Sequence, residues 1–481
     1  MDRKWLALAV VAFGTFMTSL DASIVNISLP SIALTFHTPL GGAIEWVVIA
    51  YLVVIAAMLL TFGRLSDIVG PKPVWRSGLV IFTLGSAWCG AAGTLEQLIV
   101  ARAFQAIGGA LIFAPSFAII TDAFSATNRG RALGLNSVVF ALGTSLGPTL
   151  GGLITQHLSW RWIFYVNVPV GVLGVIASHY ALRSSDTHSH ARPRLDLPGA
   201  GLIAAGFACM TLGLSFSQEW HWARSASWLL VGLAMLVAAG FLERYTPDPV
   251  VDLAVFRHRV LGSALATMTL AMVALFAVTF ILPFYFEQLR RFSVMESALL
   301  LTPLPLTIAV VAPLSGAMAD RIGSRWLASG GLALATLGLL LLARLDEAST
   351  IWEIVSCLVV TGFGQGLFQS PNARALMNAA PAGEQGQVSS LYATARVLGQ
   401  SVSVALAGAV FAGLGGASAG RALALAHPGA ATDLGGLHHA FLAGFHGALL
   451  VCAGMSAVGM VVALIRGDEG AEVPGGVRVA S

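Results

Sequence analysis

Fourteen apolar runs divide this sequence and constrain what it can fold into. A bilayer core about 30 Å thick is crossed by about 20 apolar residues in a helix. Lipid offers no partner to a backbone N–H or C=O, so crossing segments must satisfy their own. The runs lie near residues 5–29, 43–64, 75–93, 97–121, 131–155, 162–182, 197–217, 227–243, 261–284, 296–319, 327–343, 353–376, 388–414 and 438–465. Only 10% of the 481 residues are charged, against about 25% in ordinary soluble domains. The chain therefore reads as an all-α polytopic membrane protein. The first run contains Asp21 and has no clear cleavage site before Pro30, so it is kept as a span rather than a signal peptide.

Charge position matters more than the net charge of +3, which suggests neither a nucleic-acid binder nor an acid-seeking surface. Lys and Arg accumulate on the cytoplasmic side of membrane proteins. With the N-terminus inside, the cytoplasmic connections hold most of them, including Arg3, Lys4, Arg64, Lys72, Arg76, Arg129, Arg131, Arg321 and Arg325. The outer connections hold only Arg161, Arg224, Arg290, Arg291, Arg344 and Arg421. The asymmetry predicts an even number of spans with both termini cytoplasmic. Cys89, Cys209, Cys357 and Cys452 stand singly in apolar runs and suggest neither a disulfide framework nor a metal site.

Asp21 is the anomaly of the first run. A carboxylate at that depth costs about 2.5 to 3.5 kcal/mol on insertion scales, and such acids usually face a bundle interior or a water-filled path. Arg102, in the fourth run, is a second charge within the membrane; its alternative reading is an arginine snorkelling from a helix end. At about 1.5 Å per residue, Asp21 lies about 24 Å from the inner start of its span and Arg102 about 8 Å from the outer start of its own. Both fall in the outer third of the core, so the two can meet.

The ends of the chain repeat each other. Gly63-Arg-Leu-Ser-Asp67-Ile-Val-Gly70-Pro-Lys72 matches Gly316-Ala-Met-Ala-Asp320-Arg-Ile-Gly323-Ser-Arg325, and Pro115, Gly130 and Gly143 find partners in Pro371, Gly386 and Gly399. Two six-span blocks with two extra spans between them is the economical organisation. It gives residues 1–183, 184–257 (a linker and the two extra spans) and 258–466, followed by a tail at 467–481 read as disordered. Parallel halves of this kind typically enclose a cavity near the midplane and rock to expose it to each side in turn.

The loop from Gly63 to Lys72 combines a tight turn, an acid and bases; Asp67 can accept bonds from Arg64, Lys72 or a neighbouring helix end, or the loop can be base-rich with incidental charges. It resembles the loop signature of the major facilitator superfamily, with Ile68 and Pro71 where that family usually has arginines. Arg102-Ala-Phe-Gln105-Ala-Ile-Gly108 is similar to another signature of the superfamily, whose arginine is implicated in proton coupling. Gly143, Gly147, Pro148, Gly151 and Gly152 form a small-residue face with a kink, which by spacing alone is equally a generic packing face. Their pattern resembles the superfamily's antiporter signature.

Leu20-Asp21-Ala-Ser-Ile-Val-Asn26-Ile-Ser-Leu-Pro30 resembles the first-helix signature of the fourteen-helix drug:proton antiporter family. The segments at Trp46 to Tyr51 and Trp160 to Gly171 look like further signatures of it. The resemblance implies a multidrug-type exporter of amphipathic small molecules with Asp21 and Arg102 in proton coupling, Gly63, Asp67, Gly70, Lys72 and Asp320 at a cytoplasmic gate, and a multi-pass place in the cytoplasmic (inner) membrane. It implies no cofactor, the proton gradient being the energy source. The expected partners are a small-molecule substrate, protons and lipid, with no nucleic acid, and the chain is read as a monomer; the sequence does not speak to a periplasmic adaptor.

Asn26, Gln105, Gln365, Gln369, Asn372 and Arg396 are candidates for the substrate cavity, or equally for bonds between helices. His446 is read as a packing residue. Proton-coupled uptake is the nearest alternative function and a non-transporting sensor a remoter one. An enzyme is not expected, because no nucleotide loop, nucleophile motif or metal cluster occurs.

Overall fold

The computed structural model describes residues 3–38, 42–125, 128–182, 195–215, 222–246, 249–251, 258–381, 384–425 and 434–466. The linker residues 183–194, with His188 and His190, and the tail 467–481 lie outside them. The helices are α1 (Arg3–Thr35), α2 (Trp46–Val69), α3 (Pro71–Ala91), α4 (Leu95–Ala123), α5 (Arg129–His157), α6 (Trp162–Tyr165), α7 (Asn167–Ala181), α8 (Leu197–Ser215), α9 (Trp222–Glu243), α10 (Arg259–Phe284), α11 (Val294–Leu301), α12 (Pro303–Ile322), α13 (Arg325–Leu342), α14 (Ile351–Asn378), α15 (Gln385–Gly413), α16 (Gly416–Leu425) and α17 (Leu434–Ile465). Thirteen segments among the described residues are long and apolar enough to cross a membrane. The polar start of α3, with Lys72 and Arg76, keeps it out of that set, but at 21 residues it matches the remaining expected run.

Two expected spans are interrupted. The run at 162–182 is split into α6 and α7, where Pro169 supplies no N–H to Tyr165 one turn earlier. The run at 296–319 breaks between α11 and α12 because Pro303 cannot donate, and Thr302 N–H bonds instead to Leu299 C=O at 3.1 Å. The short α16 corresponds to no expected span.

The helices of each block marked out by the sequence repeat, the first and second halves, pack on one another. In the first, α1 lies against α5, α4 and α7, and α4 against α2 and α3; in the second, α10 lies against α15, α17 and α14, and α14 against α12 and α13. Helices α8 and α9 pair with each other, and α8 rests on α2 of one half and α15 of the other. Trp5 meets Phe124 and Arg131, Gly130 meets Gly316, and Arg325 donates to Leu464 C=O. The starts of α1, α5 and α13 and the end of α17 thus share one face of the bundle, the terminal face.

The halves touch mainly near that face. A Cβ at Gly130 would collide with the Gly316 backbone, and one at Gly63 with the Ser390 side chain, so α5 meets α12 and α2 meets α15 at backbone distance. Further in, Phe117 and Tyr392 pack edge to face at 5.1 Å between ring centres. The four cysteines are all buried and free.

Candidate functional site

Five helices of the first half converge on Asp21. Arg102 donates to its Oδ2 at 2.6 Å, Gln105 to Oδ1 at 2.9 Å and Asn167 to Oδ1 at 3.1 Å. Arg102 also donates to Gln105 Oε1 at 2.7 Å and, through Nε, to Val47 C=O at 3.1 Å. Gln105 passes its remaining donor to Ser86 at 2.7 Å, and Tyr51 lays its ring 4.1 Å from the guanidinium carbon. Asp21, Arg102 and Gln105 are fully or almost fully buried. The matching depths of Asp21 and Arg102 thus end in a direct ion pair, and the snorkelling alternative for Arg102 does not hold.

Local sequence explains how the helices come so close. Gly85 on α3 faces the Gln105 backbone, and Gly78 faces Gly108, so α3 and α4 approach without intervening side chains. On α5, Gly143, Gly147 and Gly151 lie against Ser19, Ser23 and Ile24 of α1, and Ser23 donates to Gly143 C=O at 3.3 Å. The helix that carries Asp21 is therefore seated on the glycine face. Gly152 points into open space and takes no part in that contact; the side chain of Pro148 lies outside the described residues.

The repeated loops act across the two halves. Asp67 accepts from the N–H groups of Gly386 and Gln387 at 2.7 and 2.8 Å, at the start of α15. Asp320 accepts from Gly130 and Arg131 N–H at 3.0 and 3.3 Å, at the start of α5, and pairs with Arg374 at 2.9 Å. Each acid thus holds the opposite half's helix N-terminus, where unpaired N–H groups and the helix dipole favour a negative charge. Of the donors open to Asp67, the neighbouring helix end supplies these two bonds. Gly70 and Gly323 make the turns behind the acids with φ of +101° and +83°, a region that favours glycine. Lys72 is half-buried beside this turn.

The cavity candidates separate. Gln105 belongs to the Asp21 network, whereas Asn26 is exposed on α1. Gln365 donates to Ala271 C=O, and Asn372 ties α14 to Ala264 and Thr267 of α10 and to Arg466. These two serve contacts between helices. The Gln369 side chain is buried, and its backbone C=O accepts from Tyr392. Arg396 lies between the halves with its guanidinium 4.4 Å from the ring centre of Phe140. His446 bonds to Leu345 C=O.

Sequence reasoning missed Asn167, Ser86, Tyr51 and Val47. Tyr51 and Asn167 lie inside motif segments already singled out, but their spacing gave no sign of which neighbour each would face.

The Major Facilitator Superfamily profile matches residues 11–404. The chain is 33% identical over 415 residues to riboflavin transporter RibZ of Clostridioides difficile, covering 86% of this chain and 89% of that one. It is 31% identical over 416 residues to multidrug resistance protein Stp of Mycobacterium tuberculosis, covering 86% and 77%. Among solved structures, that of the human organic anion transporter MFSD10 (TETRAN) is similar with a TM-score of 0.67 at 16% identity, over 96% of this chain and 100% of that one.

Proposed function

The chain belongs to the Major Facilitator Superfamily, among its drug:proton antiporters, and we propose that it exports amphipathic small molecules in exchange for protons by alternating access. As a member it is a multi-pass membrane transporter and not an enzyme. The reading of exchange rests on one observation: Asp21, Arg102, Gln105 and Asn167 form a buried network around an ion pair that joins α1, α4 and α7. The proton gradient supplies the energy without a cofactor. We place the protein in the cytoplasmic membrane, with the terminal face toward the cytoplasm.

A carboxylate holds three donors more strongly than a neutral carboxyl does, because charge-assisted bonds are roughly twice as strong as neutral ones. Protonation of Asp21 from outside therefore loosens its hold on Arg102, Gln105 and Asn167. Helix α1 carries that change to α5 across the glycine face. The start of α5 is what Asp320 grips, so loosening α1 weakens the latch and lets the terminal face open. Loss of the proton inward and binding of cargo restore the ion pair.

The test is Asp21→Asn in proteoliposomes with an imposed pH gradient. Gradient-driven export is expected to vanish while substrate exchange without a gradient continues. Export that still followed the gradient would overturn the role given to Asp21. The likeness to a riboflavin transporter supports a second reading, in which the cargo is a metabolite rather than a drug. Accumulation of labelled compound in everted versus right-side-out vesicles separates export from uptake for either cargo.

A further inference from the structure

Arg396 is a cation in the middle of the membrane with an unusual set of neighbours. It lies eleven residues into α15, about 16 Å along the helix, one turn further in than the Phe117–Tyr392 contact that closes the halves. Its residue is 7% exposed. Phe140 and Phe117 of the first half and Tyr392 of the second place their ring centres 4.4, 5.8 and 5.7 Å from its guanidinium carbon. No carboxylate pairs with it among the described residues, and its Nε has no hydrogen-bond partner. Asp21, the acid deep in the first half, is already engaged by Arg102, Gln105 and Asn167.

Burying a charge is costly unless it is paired and hydrogen-bonded. Ring faces offset part of that cost, but they leave the edge of the guanidinium, where its N–H donors lie, without an anion. Arg102 resolves the same problem with its own carboxylate; Arg396 does not.

We propose that Arg396 with Phe117, Phe140 and Tyr392 forms the cargo site, and that the cargo it fits is a planar aromatic anion whose carboxylate completes the arginine's fork. The proposal rests on the reading of this protein as a transporter with its cargo between the halves. Guanidinium geometry matches a carboxylate through two parallel bonds, and the aromatic rings contributed by both halves suit a flat aromatic ligand. Because the rings come from both halves, a bound ligand touches each of them. A cationic cargo is repelled by the same arginine.

Equilibrium binding to the purified full-length protein, with no gradient, tests this. The probes are fluorescein and rhodamine 6G, which share a xanthene core and carry opposite charge. Wild type is expected to bind fluorescein about tenfold or more tightly than rhodamine 6G, the scale of one hydrogen bond to a charged group. Arg396→Gln removes that preference, Arg396→Lys keeps part of it, and Phe140→Leu weakens both probes. Tighter binding of rhodamine 6G by wild type, or fluorescein affinity within about twofold of wild type in Arg396→Gln, overturns the proposal. If Arg396→Gln does not fold, the Lys and Leu variants decide: full fluorescein affinity in both overturns it. Proton coupling plays no part in this measurement, so failure of the Asp21 test and failure of this one are distinguishable.

Discussion

Where α5 rests on α1 through Gly143, α15 rests on α10 through Gly399. The spacings that pair Asp67 with Asp320 and Pro115 with Pro371 also pair Asp21 with Ala274, Arg102 with Leu358 and Gln105 with Thr361. All three residues of the second half are buried, and Thr361 satisfies its hydroxyl within its own helix on Cys357 C=O at 2.8 Å. One scaffold thus closes around an ion pair in one half and around an apolar pair in the other. The fold does not require the charges. Replacing a buried ion pair with packed apolar residues is often neutral or stabilising, so a pair kept in one half alone points to a task other than stability.

Breaking that comparison at its centre has the largest expected effect. Arg102→Ala strands Asp21 without its cation and should cost about 3 to 5 kcal/mol, whereas Leu358→Met should cost under about 1.5 kcal/mol. Thermal unfolding of the purified variants measures both, and equal losses would mean that the two cores are not different in kind. The packing faces come next. Gly147→Ala sets a methyl against Ser23 and the Ile24 backbone, which should cost about 1 to 3 kcal/mol and abolish export or make it leaky. Ser403, its counterpart, gives up one bond to Val273 C=O on mutation to Ala, so Ser403→Ala should cost about 1 kcal/mol and keep transport.

The latches give the smallest contrast. In Asp320→Asn, Arg374 loses a direct ion pair at 2.9 Å together with one acceptor for the α5 N-terminus, while Asp67→Asn loses an acceptor and the attraction of the Arg64 charge. Accessibility of cysteines placed at the terminal face should rise in both and further in the first, by a factor reflecting about 1 kcal/mol. Equal exposure would show that the Arg374 pair adds nothing to the closed state.

Apolar length was sufficient to find thirteen helices able to cross among the fourteen expected runs, because lipid leaves a backbone few options; α3 matches the remaining run by length rather than by apolarity. Apolar length did not show the break before Pro303 as a break, since a proline inside a long apolar run still reads as one span. The Asp21–Arg102 meeting could be anticipated because depth follows from counting residues along two helices. Asn167, Ser86 and Val47 could not be assigned that way: which side of a helix meets which neighbour depends on rotation, and rotation is set by packing contacts such as Gly85 on Gln105. The loops showed an acid and a turn but not the reciprocal grip, which joins residues 319 positions apart.

The seat of α8 gives this protein a front and a back. Two seams run between the halves, one along α2 and α15 and the other along α5 and α12. Helix α8 rests on the first, and no extra helix is seated on the second among the described residues. Lipid tails are thus displaced from one seam and not from the other.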